Sequence, residues 1–129
     1  MTCFWDGILK GLSNEDFNRV FNINKPNNRG LVKLLIDNNS KETKNITWNG
    51  DIFTNKQIEE NYEHIKNFDI NSIKKGYLCS VCDPFLILIS KLFNVNINHR
   101  YCGHLMKYRV TNPIKTLNFS SNTGHFTCL

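Results

Sequence analysis

The stretch from Asp83 to Tyr101 constrains what this chain can fold into more than any other. Asp83 followed by Pro84 reads as a helix start. The Asp side chain can take up free N–H groups, and proline is pre-set for the first helical position. Phe85, Leu86, Ile87, Leu88, Ile89, Leu92 and Phe93 then cover nearly the whole circumference, a pattern that fits only a helix surrounded by protein. Asn94 ends it. Val95, Ile97, His99 and Tyr101 next alternate with Asn94, Asn96, Asn98 and Arg100, the period of a strand with one polar face.

What flanks this unit supplies the rest of a core. Upstream, Phe4, Trp5, Ile8, Leu9 and Leu12 share one helical face, while Gly7 and Gly11 lie four apart on another side and permit close approach of a neighbour. Ser13 with Asp16 forms a capping box ahead of a short helix at Phe17 to Phe21, and Pro26 precedes a third helix with the stripe Leu31, Leu34 and Leu35. Residues 38–53 read as polar and irregular, with a turn at Trp48-Asn49-Gly50-Asp51. Thr54 and Gln57 form another capping box, opening a surface helix with Ile58, Tyr62 and Ile65 inward. Downstream, Cys102-Gly103 turns the chain, Leu105 to Val110 form a strand, and Asn112-Pro113 turns it again. A third strand covers residues 114–119, Ser120 to Gly124 reads as a five-residue turn, and His125 to Leu129 as a short last strand. This order predicts an α+β fold in which N-terminal helices and a buried central helix pack on a C-terminal antiparallel sheet. No repeat or linker divides the chain, so one domain is expected over residues 1–129.

Composition narrows the function classes. The chain of 129 residues is 40% apolar and 21% charged, as in a globular protein, and no apolar run approaches the length of a membrane span. The opening Met1-Thr2-Cys3-Phe4-Trp5-Asp6 has no basic region and carries an acid where a signal peptide is apolar, which points to an intracellular protein. The five cysteines, an odd number, then read as thiols. The net charge of +5 is spread singly among Asn and Glu apart from Lys74-Lys75, so no specific nucleic-acid interface and no membrane contact is expected.

Two groups of residues could carry chemistry. Cys3 sits immediately before the first helix, where the helix dipole favours a thiolate and free N–H groups can donate to an oxyanion. His125, after Gly124, opens the last strand. A Cys and a His distant in sequence but adjacent in space form the usual thiol-hydrolase pair. The second group, Cys79 and Cys82 with His99, Cys102 and His104, has a zinc-like first half. Its second half is not a standard ligand pair, Cys82 abuts the cap at Asp83, and His99 falls on the apolar face of its strand. These thiols therefore read as structural, and no metal or other cofactor is expected.

The segment Cys3-Phe4-Trp5-Asp6-Gly7-Ile8-Leu9 resembles the nucleophile helix of the ovarian-tumour (OTU) cysteine proteases, which have a papain-like fold. Asp83 to Tyr101 resembles that family's central helix and inner strand, and Leu117-Asn118-Phe119 with Gly124-His125-Phe126 resembles its closing strands. The resemblance implies Cys3 as nucleophile, His125 as base, and a ubiquitin-like conjugate or other protein as substrate. The compact, Asn-rich style is similar to that of products of large DNA viruses. Two departures stand out. Only Met1 and Thr2 precede Cys3, where the family has an oxyanion loop. Thr127 stands where the family often has the Asp or Asn that orients the His, leaving Asn118, Asn122 or Asp6 as substitutes. The same departures fit an alternative: a catalytically inactive member of the fold, serving as a binding or virion assembly module.

Overall fold

A computed structural model describes residues 2–129. Most of its helices begin where a side chain can take up their free N–H groups. Helix α1 (Cys3–Gly11) leads to α2 (Asn14–Phe21), where Ser13 Oγ accepts from Asp16 N at 3.2 Å and Asp16 Oδ2 accepts from Ser13 N at 2.8 Å. Asn27 caps α3 (Asn28–Asp37), and the Thr54–Gln57 box opens α4 (Asn55–Lys66). A cap of this kind stabilises a helix by about 1 kcal/mol. A 3-10 helix (Ile70–Lys75) follows. Asp83 Oδ1 accepts from Phe85 N at 2.9 Å at the start of α5 (Pro84–Phe93), and Asn94 ends α5 at a φ of 54°.

Helix α5 is buried on every side, with only Lys91 and Leu92 partly exposed. Each fully buried Phe, Leu or Ile there contributes about 1.5–3 kcal/mol, making α5 the centre of the core. One flank lies on the sheet and the others meet α2, α3 and α4.

The sheet corrects the expected antiparallel one. It has five strands in the order β1-β3-β2-β4-β5 and is mixed. Strand β2 (Asn96–Tyr101) and β3 (His104–Val110) form a hairpin whose turn, Cys102-Gly103, has both residues at positive φ, as a type I′ turn requires. The chain then passes the start of β2 and enters β4 (Thr116–Asn122) on the far side, running parallel to β2. Backbone bonds from Ile114 N to Asn94 O and from Asn96 N to Lys115 O fix that crossing, and the Lys115 ammonium binds Asp16 in the α2 cap. The direction follows from where the connection starts: β3 ends beside the beginning of β2, so a short connection can only launch β4 along it.

Two further expectations are corrected. Residues 46–48, read as irregular, form strand β1 (Ile46–Trp48), paired with β3 through Ile46 and Val110. Ser120 to Gly124 is no five-residue turn: β4 runs to Asn122, and β5 (His125–Cys128) returns after Thr123-Gly124. Ser121 extends the strand because its side chain turns inward to a buried partner, described below. Among the described residues no helix is long and apolar enough to cross a membrane.

Strand parity gives the sheet one apolar face. Ile97, His99, Tyr108, Leu117, Phe119 and Phe126 are buried there beneath α5 and α1. Helix α1 lies directly on β5, and Gly7 sets the spacing: a Cβ on residue 7 would stand 2.8 Å from Phe126 Cδ1. That ring cannot retreat, because Phe4 and Phe119 pack on it with centroids 4.8 and 4.9 Å away. Gly7→Val is therefore expected to lose about 1–3 kcal/mol of stability in urea unfolding. Phe126→Leu in the Gly7→Val background should recover part of that loss. An unchanged midpoint for the single variant would show that the contact is loose.

Candidate functional site

Cys3 is the first residue of α1, one position further in than the sequence suggested. Thr2 occupies the cap position, but its hydroxyl donates to Asp6 Oδ2 at 2.8 Å and no side chain caps the first turn. Cys3 lines a cleft of about 200 Å³. One wall is the segment from Lys75, where the 3-10 helix ends, to Cys79, and the other is the end of β4, the β4–β5 turn and the start of β5, from Ser121 to Phe126, which includes His125. Among the described residues the backbone of Tyr77, Leu78 and Cys79 makes no backbone hydrogen bond. Leu78, 73% exposed, stands at the rim.

Cys3 and His125 thus share a cleft, but among the described residues no direct hydrogen bond joins them. Strand parity gives the reason. Phe126 and Cys128 are the β5 residues that meet α1 across Gly7 and Gly11, so His125 and Thr127 start from the opposite, polar face. Of the four residues considered as orienters of the imidazole, Asn122 alone lines the cleft, directly across the β4–β5 ladder from His125. Its Oδ1 accepts from Gly124 N at 3.1 Å. Asn118 accepts from Asn98 Nδ2 at 3.1 Å, away from the cleft. Asp6 holds Thr2 and Asn28, and Thr127 is exposed opposite Ser120.

Behind the cleft lies a second thiol–imidazole pair, two members of the zinc-like group, with Ser121 as a third partner that the sequence did not suggest. Cys79 Sγ is 4.0 Å from His99 Nδ1, and His99 Nε2 is 2.6 Å from Ser121 Oγ. The inward parity of His99 was readable in the alternation of β2. The Ser121 partner was not, since it comes from a stretch that reads as a turn. Burial, reinforced by the nearby Asp83 carboxylate, pushes the Cys79 thiol far up, and it pushes Cys82 up to about 12. Burial also lowers His99 to about 4. A protonated thiol beside a weakly basic ring is a structural pair, not an activated nucleophile.

Asp83 ties this wall to α5. Fully buried, its carboxyl is pushed up by desolvation, while hydrogen bonds from Ser80, Tyr77 Oη, Phe85 N and Leu86 N pull against that shift. Its own N–H donates to Tyr108 Oη at 2.9 Å. Tyr77 Oη also meets His64 Nε2 at 3.2 Å. The cleft wall is therefore pinned to the helix cap.

Of the zinc-like group, Cys102 in the β2–β3 turn and His104 at the start of β3 are exposed, whereas Cys79 and His99 lie inside. Among the described residues no three His, Cys, Asp or Glu side chains converge as metal ligands would. Comparison with known proteins finds no matching family model, no matching curated protein and no matching solved structure.

His99 makes stability pH-dependent. Its folded value of about 4 lies below the ordinary 6.5, so the unfolded chain binds the proton more readily in between. The contribution of the neutral buried ring is complete above about pH 6.5 and is lost as pH falls through about 4. Unfolding free energies of wild type and His99→Gln, measured across that interval, should converge toward the acid end. Parallel curves would mean that the ring takes up its proton at the same pH in the folded and the unfolded chain.

Proposed function

We propose that this chain is a thiol-dependent hydrolase of peptide or isopeptide bonds, with Cys3 as nucleophile and His125 as general base and then acid. The observation that carries this reading is that one cleft receives both the first residue of α1 and the first residue of β5. In the reaction His125 takes the Cys3 proton, sulfur adds to the carbonyl carbon, and His125 returns the proton to the leaving amine. Water then hydrolyses the thioester. The uncapped first turn of α1 supplies N–H groups for the oxyanion. The unpaired backbone of Tyr77 to Cys79 suits an extended substrate chain.

To meet Cys3, the His125 ring swings from the polar face when substrate fills the cleft. The neighbouring turn has room for this, since even a Cβ on Gly124 would meet nothing within 4 Å. Catalytic hydrogen bonds often tighten only in the complex. Asn122 is the residue placed to orient the ring. A helix-borne Cys and a strand-borne His in an α+β domain agree with the papain-like, OTU-type fold that the sequence resembles. A ubiquitin-like conjugate, met inside a cell, is accordingly the first substrate to test.

One observation favours a second reading, a non-catalytic binding or assembly module: His125 and Cys3 are not hydrogen-bonded, and they approach from opposite faces of β5. Incubation with a ubiquitin bearing a C-terminal electrophile separates the two. The hydrolase reading expects a covalent adduct on Cys3, abolished in Cys3→Ala, markedly slowed in His125→Ala and retained in Cys79→Ser. No adduct, together with no cleavage of ubiquitin-like or peptide substrates, would favour the module.

A further inference from the structure

Charge is unevenly divided along this chain. Residues 1–83 carry eleven acids against eleven Lys and Arg residues, while residues 84–129 carry five Lys and Arg and no acid at all. The second stretch holds β2 to β5, and β1 has no acid either, so the sheet carries cations without carboxylates.

Strand parity decides where those cations emerge. Ile97, His99, Tyr108, Leu117, Phe119 and Phe126 take the inner face, so their alternates take the other. Arg100, Lys107 and Arg109 are among those alternates. Arg100 stands across the ladder from Leu105, which makes Lys107 its diagonal neighbour, and Arg109 lies two residues further along β3. Such neighbours are about 7 Å apart. Among the described residues none of the three forms an ion pair. A row of amides orders the patch: Arg109 Nη2 donates to Asn98 Oδ1 at 2.6 Å, and Asn98 Nδ2 donates to Asn118 Oδ1 at 3.1 Å. The helices that meet the sheet, α1 and α5, pack on its inner face and leave this one uncovered.

Three like charges without a counter-ion repel one another, and a polyanion laid across them relieves that repulsion. The composition of the face selects the polyanion. Among the described strand residues on it, Leu105 is the one large apolar side chain, and no Phe, Tyr or Trp is present. A protein interface is built around an apolar or aromatic centre, and insertion into a membrane surface needs an apolar face. Single-stranded bases need rings to stack on. Cations among Asn, Ser and Thr side chains are instead the groups that hold the phosphates and sugars of a duplex. We propose that the solvent face of the sheet binds the phosphate backbone of a nucleic-acid duplex without regard to sequence, with Arg100, Lys107 and Arg109 as its cations. Because parity draws them from alternate positions of two strands, they form no dense run in the sequence. The surface stands whether or not Cys3 is catalytic.

The test is fluorescence anisotropy of a short labelled DNA duplex of mixed sequence, titrated with the protein at several salt concentrations. Affinity is expected to fall with salt, with a log–log slope of roughly −2 to −3 for three neutralised phosphates. Arg100→Gln and Lys107→Gln should each bring that slope about one unit closer to zero. Both side chains are exposed, so the melting midpoint should be kept. Lys66→Gln, in α4 and away from the sheet, should leave the slope unchanged. On wild type, amide NMR shifts should move in β2, β3 and β4 and not in α4. No binding at low salt would overturn the proposal, as would a slope unaffected by Arg100→Gln and Lys107→Gln together. So would polyglutamate binding as tightly as the duplex at equal charge, or a single strand binding more tightly than the duplex.

Discussion

Helix α1 can rest on β5 because residue 7 lacks a side chain, and much of the cleft follows from that approach. Phe126 fills the place a Cβ would take, and it is held in turn by Phe4, Phe119 and His99. Phe4 continues the packing into Trp5 and Tyr77, and Trp5 into Phe68 and Phe85, mostly edge-on or tilted. Such ring pairs add about 0.5–1.5 kcal/mol each beyond the area they bury. One continuous aromatic layer thus fixes the helix that bears Cys3, the strand that bears His125 and the wall that bears Tyr77.

Asp83 performs the corresponding task from the other side. A carboxylate buried in the core is tolerable only when it is saturated with donors, and this one gathers them from the α5 start, from Ser80 and from Tyr77. The segment between Tyr77 and Asp83 has no regular structure, yet it is anchored at both ends. Rigid support beneath an exposed segment with free backbone groups is what a binding wall requires. The thiol and imidazole directly behind that wall, Cys79 and His99, are neutralised by burial.

Elements governed by local rules were legible in the sequence. Both capping boxes, the Asp83-Pro84 start, the all-round apolar α5 and the turns at Asn49-Gly50 and Cys102-Gly103 depend on residues a few positions apart. What escaped depends on distant partners. Strand β1 is too short to show a period and exists through pairing with β3. Ser120 and Ser121 look like turn residues until His99 supplies a buried partner for Ser121. The parallel course of β4 is a property of the crossing, not of its residues. For the site, Cys3 and His125 were visible as candidates, and the alternation of β5 already sets Phe126 and Cys128 inward; that α1 packs on this inward side, away from the face His125 starts from, required the packing to be known.

The account rests on Cys3 and His125 acting as one unit, and the alkylation rate of each thiol tests that most directly. Limited iodoacetamide near roughly pH 6.5, with peptide mapping, reports thiolate availability cysteine by cysteine. The account predicts that Cys3 is modified before Cys102, although Cys102 is the more exposed, and that His125→Ala slows Cys3 alone. Cys3 reacting no faster than Cys102, at a rate indifferent to His125, would contradict it.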